Sequence, residues 1–525
     1  MNANRIKIVV AIFVVMTSMS SCSGALSTKA LFSALQENAE ISEIQKQLGR
    51  GADVNATDEQ GVTPLQYAVS RNMNNAIKMA LIEAGADVSK INGGSRTELL
   101  FNAIDSASPI SITALIASGV DVNKSYELAN KNHERWVPLN YALENSDEGS
   151  VITALIKAGA SINDEKILQK VRNIETLNIL IEAGVDVNAG KPLASLVGKE
   201  TTTSEMVAAL VKAGADVNLG NPLGNARNID VLNTLIKAGA NVNVGLPLNY
   251  LLMKPTTTGE MVNVMIEAGA DVNLGYSLLD AACFSSDPSI ITMLINAGAD
   301  VRSPKDLLGK ALKTYAVSNQ NYTEEVLVAL IHGGVDVNAT FKASRPGEFV
   351  EKAWTPLSFA IIEQLGIKII NALIDAGADI GDGYLVLATE QDDFEVVRAL
   401  LGAGANVNPK LPNASNLSPL QSAAKYSTNI EIFTALIQAG ANVNENSRIV
   451  NTSMYGPQKR TVCTPLIFAA KGNKNPEVIN ILLDAGANPN VLFEEKNALD
   501  YAKKNQYLVN TPAIERLESV SQGRN

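Results

Sequence analysis

Histidine, cysteine and tryptophan are almost missing from this chain, with two, three and two copies in 525 residues. Each scarcity closes a class of chemistry. His133 and His332 are far apart in the sequence, so a His-based triad, a zinc site or a general-base pair has no support. Beyond Cys22 there are only Cys283 and Cys463, about five sequence repeats apart. At roughly 10 Å between packed helix layers they cannot meet within one monomer, and each reads as a small buried residue, not a reactive thiol. No Gly-rich phosphate loop, serine elbow or EF-hand spacing occurs. Positive charge is the minority, 43 Lys and Arg against 54 Asp and Glu for a net −11, and without a basic groove nucleic acid is excluded as a partner. The chain is therefore expected to be no enzyme and to hold no cofactor and no metal.

What is abundant is one phrase, close to Gly-Ala-Asp-Val-Asn, which recurs fourteen times from Gly51 to Gly486. The mean interval is about 33 residues, a solenoid period. Each glycine follows an apolar run such as Leu210-Val211-Lys212-Ala213, and glycine just past a helix takes the left-handed conformation that stops it. Asp or Asn two residues later, as at Asp53, Asp216 and Asn442, can bond its side chain to the backbone and hold a turn. The Asp residues recur for that turn, so they are not read as a calcium ladder. Met206, Val207, Leu210 and Val211 show the helical spacing of one apolar stripe per unit. One stripe cannot be buried alone, so neighbouring units must stack.

The other half of the unit opens with Pro-Leu, at Pro64, Pro138, Pro356, Pro419 and Pro465, where proline suits the first helical turn. Together the two signatures resemble the ankyrin motif, over roughly residues 28 to 520. The resemblance implies an all-α solenoid of about 14 helix-turn-helix repeats with short hairpin loops. The motif histidine is replaced by Gln66, Asn140, Ser358, Gln421 and Ile467, so its usual inter-repeat hydrogen bond must be made by an amide or lost. Between Gly159 and Gly298 the intervals shrink, and those units are expected to lack a full hairpin. There a block is duplicated, Thr201–Val207 recurring as Thr256–Val262. Thr202 with Glu205, and Thr257 with Glu260, have capping-box spacing and read as helix caps.

The amino terminus has the layout of a secretory signal, with Arg5 and Lys7, an apolar stretch from Ile8 to Met16, and Met19-Ser20-Ser21-Cys22. It resembles a bacterial lipobox, with Met19 where Leu is usual. The resemblance implies lipidation of Cys22, residues 1 to 22 as signal peptide, 23 to 27 as tether, and membrane attachment through more than one acyl chain; ordinary signal-peptidase cleavage and an uncleaved anchor are the alternatives. Ser23 favours the outer membrane by the same resemblance, facing the periplasm.

Three loops are longer than the rest: Lys124 to Trp136, Thr340 to Trp354, and Glu445 to Cys463. Insertions in solenoids map to one face, often the binding face. Both tryptophans end such an insertion, and two readings stand side by side: an exposed partner hot spot, or a ring folded back over its own loop. The loops carry positive charge at Arg135, Arg345 and Lys352, and Lys425, Tyr426, Lys471 and Asn473 lie near the exposed ends of inner helices. These residues with Trp136 and Trp354 are the partner-binding candidates, and the charges suit an acidic partner or lipid headgroups. Tyr67, Tyr141, Tyr250, Phe359, Phe468 and Tyr501 occupy a core position and read as packing. Thr28 to Leu48 and Asn497 to Val520 read as capping pairs that cover the ends of the array, with 521 to 525 as tail. The expectation is a monomeric, non-catalytic protein-binding scaffold at the bacterial envelope, its protein partner unidentified. A periplasmic immunity protein or inhibitor that occludes a toxin or enzyme is the alternative, and an enzyme the rival from another class.

Overall fold

The glycine phrase does what its chemistry requires. In a computed structural model describing residues 24–128, 134–146, 148–317, 323–344, 352–410, 417–450 and 460–523, all fourteen glycines lie at φ between 82° and 95°. Helix Ser204–Lys212 shows the closure: Gly214 N–H donates to Val211 at 3.0 Å and Ala215 N–H to Leu210 at 3.0 Å, the paired bonds of a Schellman end. The Asp side chain then holds the turn, as at Asp216, whose Oδ1 accepts from Asn218 N–H at 2.9 Å. The proline signature is equally literal, since Pro64, Pro138, Pro356, Pro419 and Pro465 each begin an inner helix.

The chain divides into two compact units, Met1–Gly245 and Leu246–Asn525. Each is a stack of helix pairs in which inner helix packs on inner helix and outer on outer. In the first unit Gly93–Asp105 is followed by Pro138–Asn145 in the inner row, and Pro109–Ala117 by Gly149–Lys157 in the outer. In the second, Tyr384–Glu390, Pro419–Tyr426 and Pro465–Gly472 form consecutive inner layers. The core lies between the rows, where Leu155, Leu180, Leu210 and Leu235 of the first unit, and Leu294, Leu330, Leu373, Leu400, Leu436 and Leu482 of the second, are fully buried.

The short repeats shorten one helix only. Outer helices Ile174–Glu182, Ser204–Lys212 and Ile229–Lys237 keep nine residues, while the inner elements Leu168–Lys170, Pro192–Leu196 and Pro222–Asn225 shrink to three, five and four. The outer helices keep their buried stripe at full length, and the shortened inner elements retain chiefly their buried Pro-Leu start, at Pro192-Leu193 and Pro222-Leu223. The threonine caps are displaced by one residue from the expected position. Thr203 and Thr258 are the N-caps, accepting from Met206 and Met261 N–H at 3.3 Å. Thr202 is buried and donates to the Leu196 carbonyl at 2.6 Å, and Thr257 donates likewise to Leu251. Tyr250 is a correction of another kind, 53% exposed at a position expected to pack, whereas Tyr141, Phe359, Phe468 and Tyr501 are buried. Helix pairs occupy both expected caps, 24–36 with Ile41–Gly49 and Ala498–Ala502 with Pro512–Ser521.

Candidate functional site

The three long loops form antiparallel strand pairs. In the first unit β1 (Tyr126–Leu128) pairs with β2 (Glu134–Trp136). In the second, β3 (Phe341–Ala343) pairs with β4 (Lys352–Trp354), and β5 (Ser447–Val450) with β6 (Arg460–Cys463). Each pair ends one residue before the N-cap of an inner helix. The hairpins are thus fixed at their roots.

An asparagine ladder sets the register of the loops. The last residue of the phrase reaches into the next repeat, where its amide donates to the phrase glycine's carbonyl and its oxygen accepts an N–H two residues on. In the first unit Asn55 bonds Gly85 and Asp87 at 2.9 and 2.7 Å, Asn123 bonds Gly159 and Ser161 at 2.9 and 2.7 Å, and Asn188 does the same. In the second unit Asn273, Asn338, Asn408 and Asn444 repeat the pattern. Two backbone groups that a loop would leave to water are satisfied by one side chain. The missing motif histidine is also replaced, at several positions by an amide. Gln66 donates to the Lys90 carbonyl at 3.1 Å, Asn140 to Asp164 at 2.8 Å, and fully buried Gln421 to the Glu445 and Cys463 carbonyls at 2.9 Å each. Ser358 instead closes a capping box within its own helix.

Both tryptophans are half-buried, and each meets the aromatic residue of its inner helix edge to face. Trp136 lies 5.7 Å from Tyr141 at 81°, and Trp354 lies 6.3 Å from Phe359 at 69°. Trp354 also donates its indole N–H to Ala343 across the hairpin at 3.1 Å, which is the folded-back arrangement. The Trp136 indole nitrogen is shielded and has no acceptor among the described residues, and the Lys170 ammonium stands 5.8 Å above its ring.

The remaining candidates divide by exposure. Arg135 is exposed but reaches back to the Ser125 carbonyl at 3.1 Å; Lys352 is exposed on β4. Lys425 lies 4.6 Å over the exposed ring of Tyr426, and Lys471 lies 5.1 Å over Phe493. Asn473 is corrected outright. It is 3% exposed, donates to the Ala424 and Ser427 carbonyls at 3.0 and 2.7 Å, and accepts from Asn475 N–H at 2.9 Å. Cys22 and Arg345 lie outside the described residues.

In the second unit a cleft of about 770 Å³ between outer helices is lined by Glu325, His332, Lys368 and Asp375. Its chemistry is that of an ion pair. Glu325 and Lys368 meet at 2.9 Å; this hydrogen bond holds the carboxyl below and the ammonium above their ordinary values, so both stay charged at neutral pH and neither is poised to exchange a proton. Among the described residues no group of three or more His, Cys, Asp or Glu is placed to hold a metal ion, and no helix is long and apolar enough to cross a membrane. Both described cysteines are buried, and burial pushes the Cys463 thiol up to about 12.

Residues 357–447 match the family model for ankyrin repeats in three copies, and 463–492 match that for a further ankyrin repeat. Nothing among the curated proteins matches the chain. Among solved structures it is similar to the human ASB11 ankyrin repeat domain, at 24% identity and a TM-score of 0.32 over 46% of this chain and 96% of that one. The fold class is an all-α ankyrin-repeat solenoid, and ankyrin repeats are protein-interaction modules.

Proposed function

We propose that this chain is a non-catalytic protein-binding scaffold tethered to a bacterial envelope through lipidated Cys22. The observation that carries the binding role is the asparagine ladder, which fixes the loops of each unit in register and supports the exposed Arg135, Lys352, Lys425, Tyr426 and Lys471 on a rigid frame. A pre-ordered surface loses less conformational entropy on binding, so more of the contact energy appears as affinity. The two half-buried indoles stand at the hairpin roots, and large aromatics are the residues that carry most energy at interfaces. The tether rests on the amino-terminal sequence alone.

Two experiments test this reading. Crosslinking and affinity purification of the full-length chain from native membranes should recover a protein partner, and a Trp136→Ala/Trp354→Ala variant of equal helical content should recover markedly less. Equal recovery would move the site off the hairpin roots, and no partner with either form would leave a structural spacer. Cys22→Ala should shift the chain from the membrane to the soluble fraction and abolish metabolic labelling with palmitate. Unchanged labelling would overturn the lipid anchor.

A further inference from the structure

Three consecutive inner elements of the first unit bring together charges that the sequence scatters. Lys170 ends the short inner element Leu168–Lys170, Arg172 follows it, and Lys199 follows Pro192–Leu196. Stacking puts Lys170 against Glu144 of the preceding inner helix. Lys199 donates its ammonium to the Gln169 carbonyl. Glu144 is the carboxylate that acts on Lys199, against two cations, Arg172 and Lys170. Lys170 also acts on Asp164, but that carboxylate is engaged by Asn140 at 2.8 Å and by the Lys166 N–H at 2.9 Å. The Trp136 ring stands beside the group, under the Lys170 ammonium.

This arrangement is unfavourable as it stands. Lys199 is only partly exposed, and burial first, then Arg172 and Lys170, holds its ammonium below the ordinary lysine value. Like charges brought together in a sheltered place repel, and desolvation strengthens the repulsion. In a chain of net charge −11, most basic groups could be placed among carboxylates; here Glu144 is taken by Lys170 and Glu200, beside Lys199, by Arg227 at 3.5 Å, and among the described residues neither Arg172 nor Lys199 forms an ion pair. A carboxylate entering from outside would relieve the repulsion and gain charge-assisted hydrogen bonds.

We propose that Lys170, Arg172 and Lys199, beside Trp136, form a receptor for an acidic peptide segment of a protein partner. The proposal rests on the scaffold reading and names the chemistry of its partner. A narrow segment suits the site better than an anionic membrane. Lys170 retains only 22% of its side-chain exposure, and a net-negative protein is repelled by a broad negative surface, whereas a single extended chain can carry carboxylates to recessed ammonium groups. Its apolar side chains would lie along the Trp136 ring.

The test uses the full chain and a fluorescein-labelled oligoglutamate peptide followed by anisotropy. Binding is expected at about 0.1 M salt and is expected to be lost at about 1 M, where the Debye length falls from about 10 to about 3 Å. Arg172→Gln/Lys199→Gln, which leaves the Lys170–Glu144 pair in place, should weaken it by about tenfold, or about 1.4 kcal/mol. Lys199→Arg should bind like the parent chain, which separates charge from folding. In a Trp354→Phe background Trp136 is the single tryptophan, and its emission should shift on titration. Absence of binding, equal affinity in the double variant, or equal dependence on these residues with inorganic phosphate or phosphatidylglycerol vesicles would overturn the proposal. A native partner still captured by the double variant would sink this site and leave the scaffold reading intact; failure of the parent chain to capture any partner would sink the scaffold reading itself.

Discussion

Asn473→Ala should destabilise the second unit by about 3 kcal/mol, although the change removes no apolar contact of note. The side chain closes three bonds at the end of helix Pro465–Gly472: to the Ala424 and Ser427 carbonyls of the preceding inner layer, and from Asn475 N–H in its own turn. Orphaning a buried backbone group costs roughly 1–3 kcal/mol, and two carbonyls are orphaned together. The position is also part of a series, since buried Asn505 donates to the Ala470 and Asn473 carbonyls one layer on. Losing the middle member should therefore loosen both interfaces. Urea unfolding monitored by circular dichroism would show a lower midpoint, and hydrogen exchange would show lost protection at 424–428 and 470–475. A midpoint unchanged within error would mean that water replaces the amide without cost. Asn444→Ala is the internal comparison. It also removes two inter-repeat bonds, but at an exposed loop where water can substitute, so a smaller loss is expected.

The contrast between these asparagines shows what the sequence exposes and what it hides. Local chemistry was legible: a glycine that needs positive φ, a proline at the first turn and an Asp that closes its own turn are each readable within about five residues. So was the stacking, because an apolar stripe per repeat has no other place to be buried. The ladder was hidden because the partner of Asn55 is the Gly85 carbonyl, a backbone group that no residue identity marks. Asn473 looked like a polar residue at a helix end, where solvent is the usual expectation. Only the preceding layer turns it inward.

The same reason accounts for the cation group and the aromatics. Lys170 and Lys199 each sit in unremarkable polar context, and only stacking converts their sequence separation into proximity. Thr202 and Thr203 differ by one position, and the sequence cannot say which one caps, since both precede a plausible first turn; the depth of the Leu196 carbonyl decides it. Tyr250 shares a register position with buried Tyr141, but helix Pro247–Leu252 has only six residues. A tryptophan at the foot of a hairpin can face either way, and the register of β3 with β4, pairing Phe341 to Trp354, sets its direction.

Gly309→Ala sets helix propensity directly against packing, and packing should win. Gly309 lies within helix Leu307–Val317, where alanine is intrinsically favoured over glycine by about 1 kcal/mol. A Cβ there would stand 2.2 Å from Cγ and 2.6 Å from Cβ of Phe341, the root of a buried ring and not the far end of a flexible chain. Phe341 is 5% exposed, meets Phe359 at 5.2 Å and opposes Trp354 across the hairpin, so it cannot retreat without moving β3. Overpacking of this kind costs typically about 1–3 kcal/mol, and a net destabilisation of roughly 1 kcal/mol, at most about 2, is expected once the propensity gain is deducted. The signature should be local: Trp354 emission shifts to the red as the hairpin lifts, while Trp136, in the other unit, does not respond. Gly333→Ala is the matched control. Its new Cβ would meet the terminal Cδ1 of Ile295 at 2.1 Å, a methyl that rotates away, and alanine already fills the equivalent place at Ala84, Ala268 and Ala376. That variant should be neutral or slightly stabilised. If both variants gain stability, the hairpin is seated too loosely on the inner helix to hold Trp354, and the rigid frame invoked for partner binding fails at that hairpin.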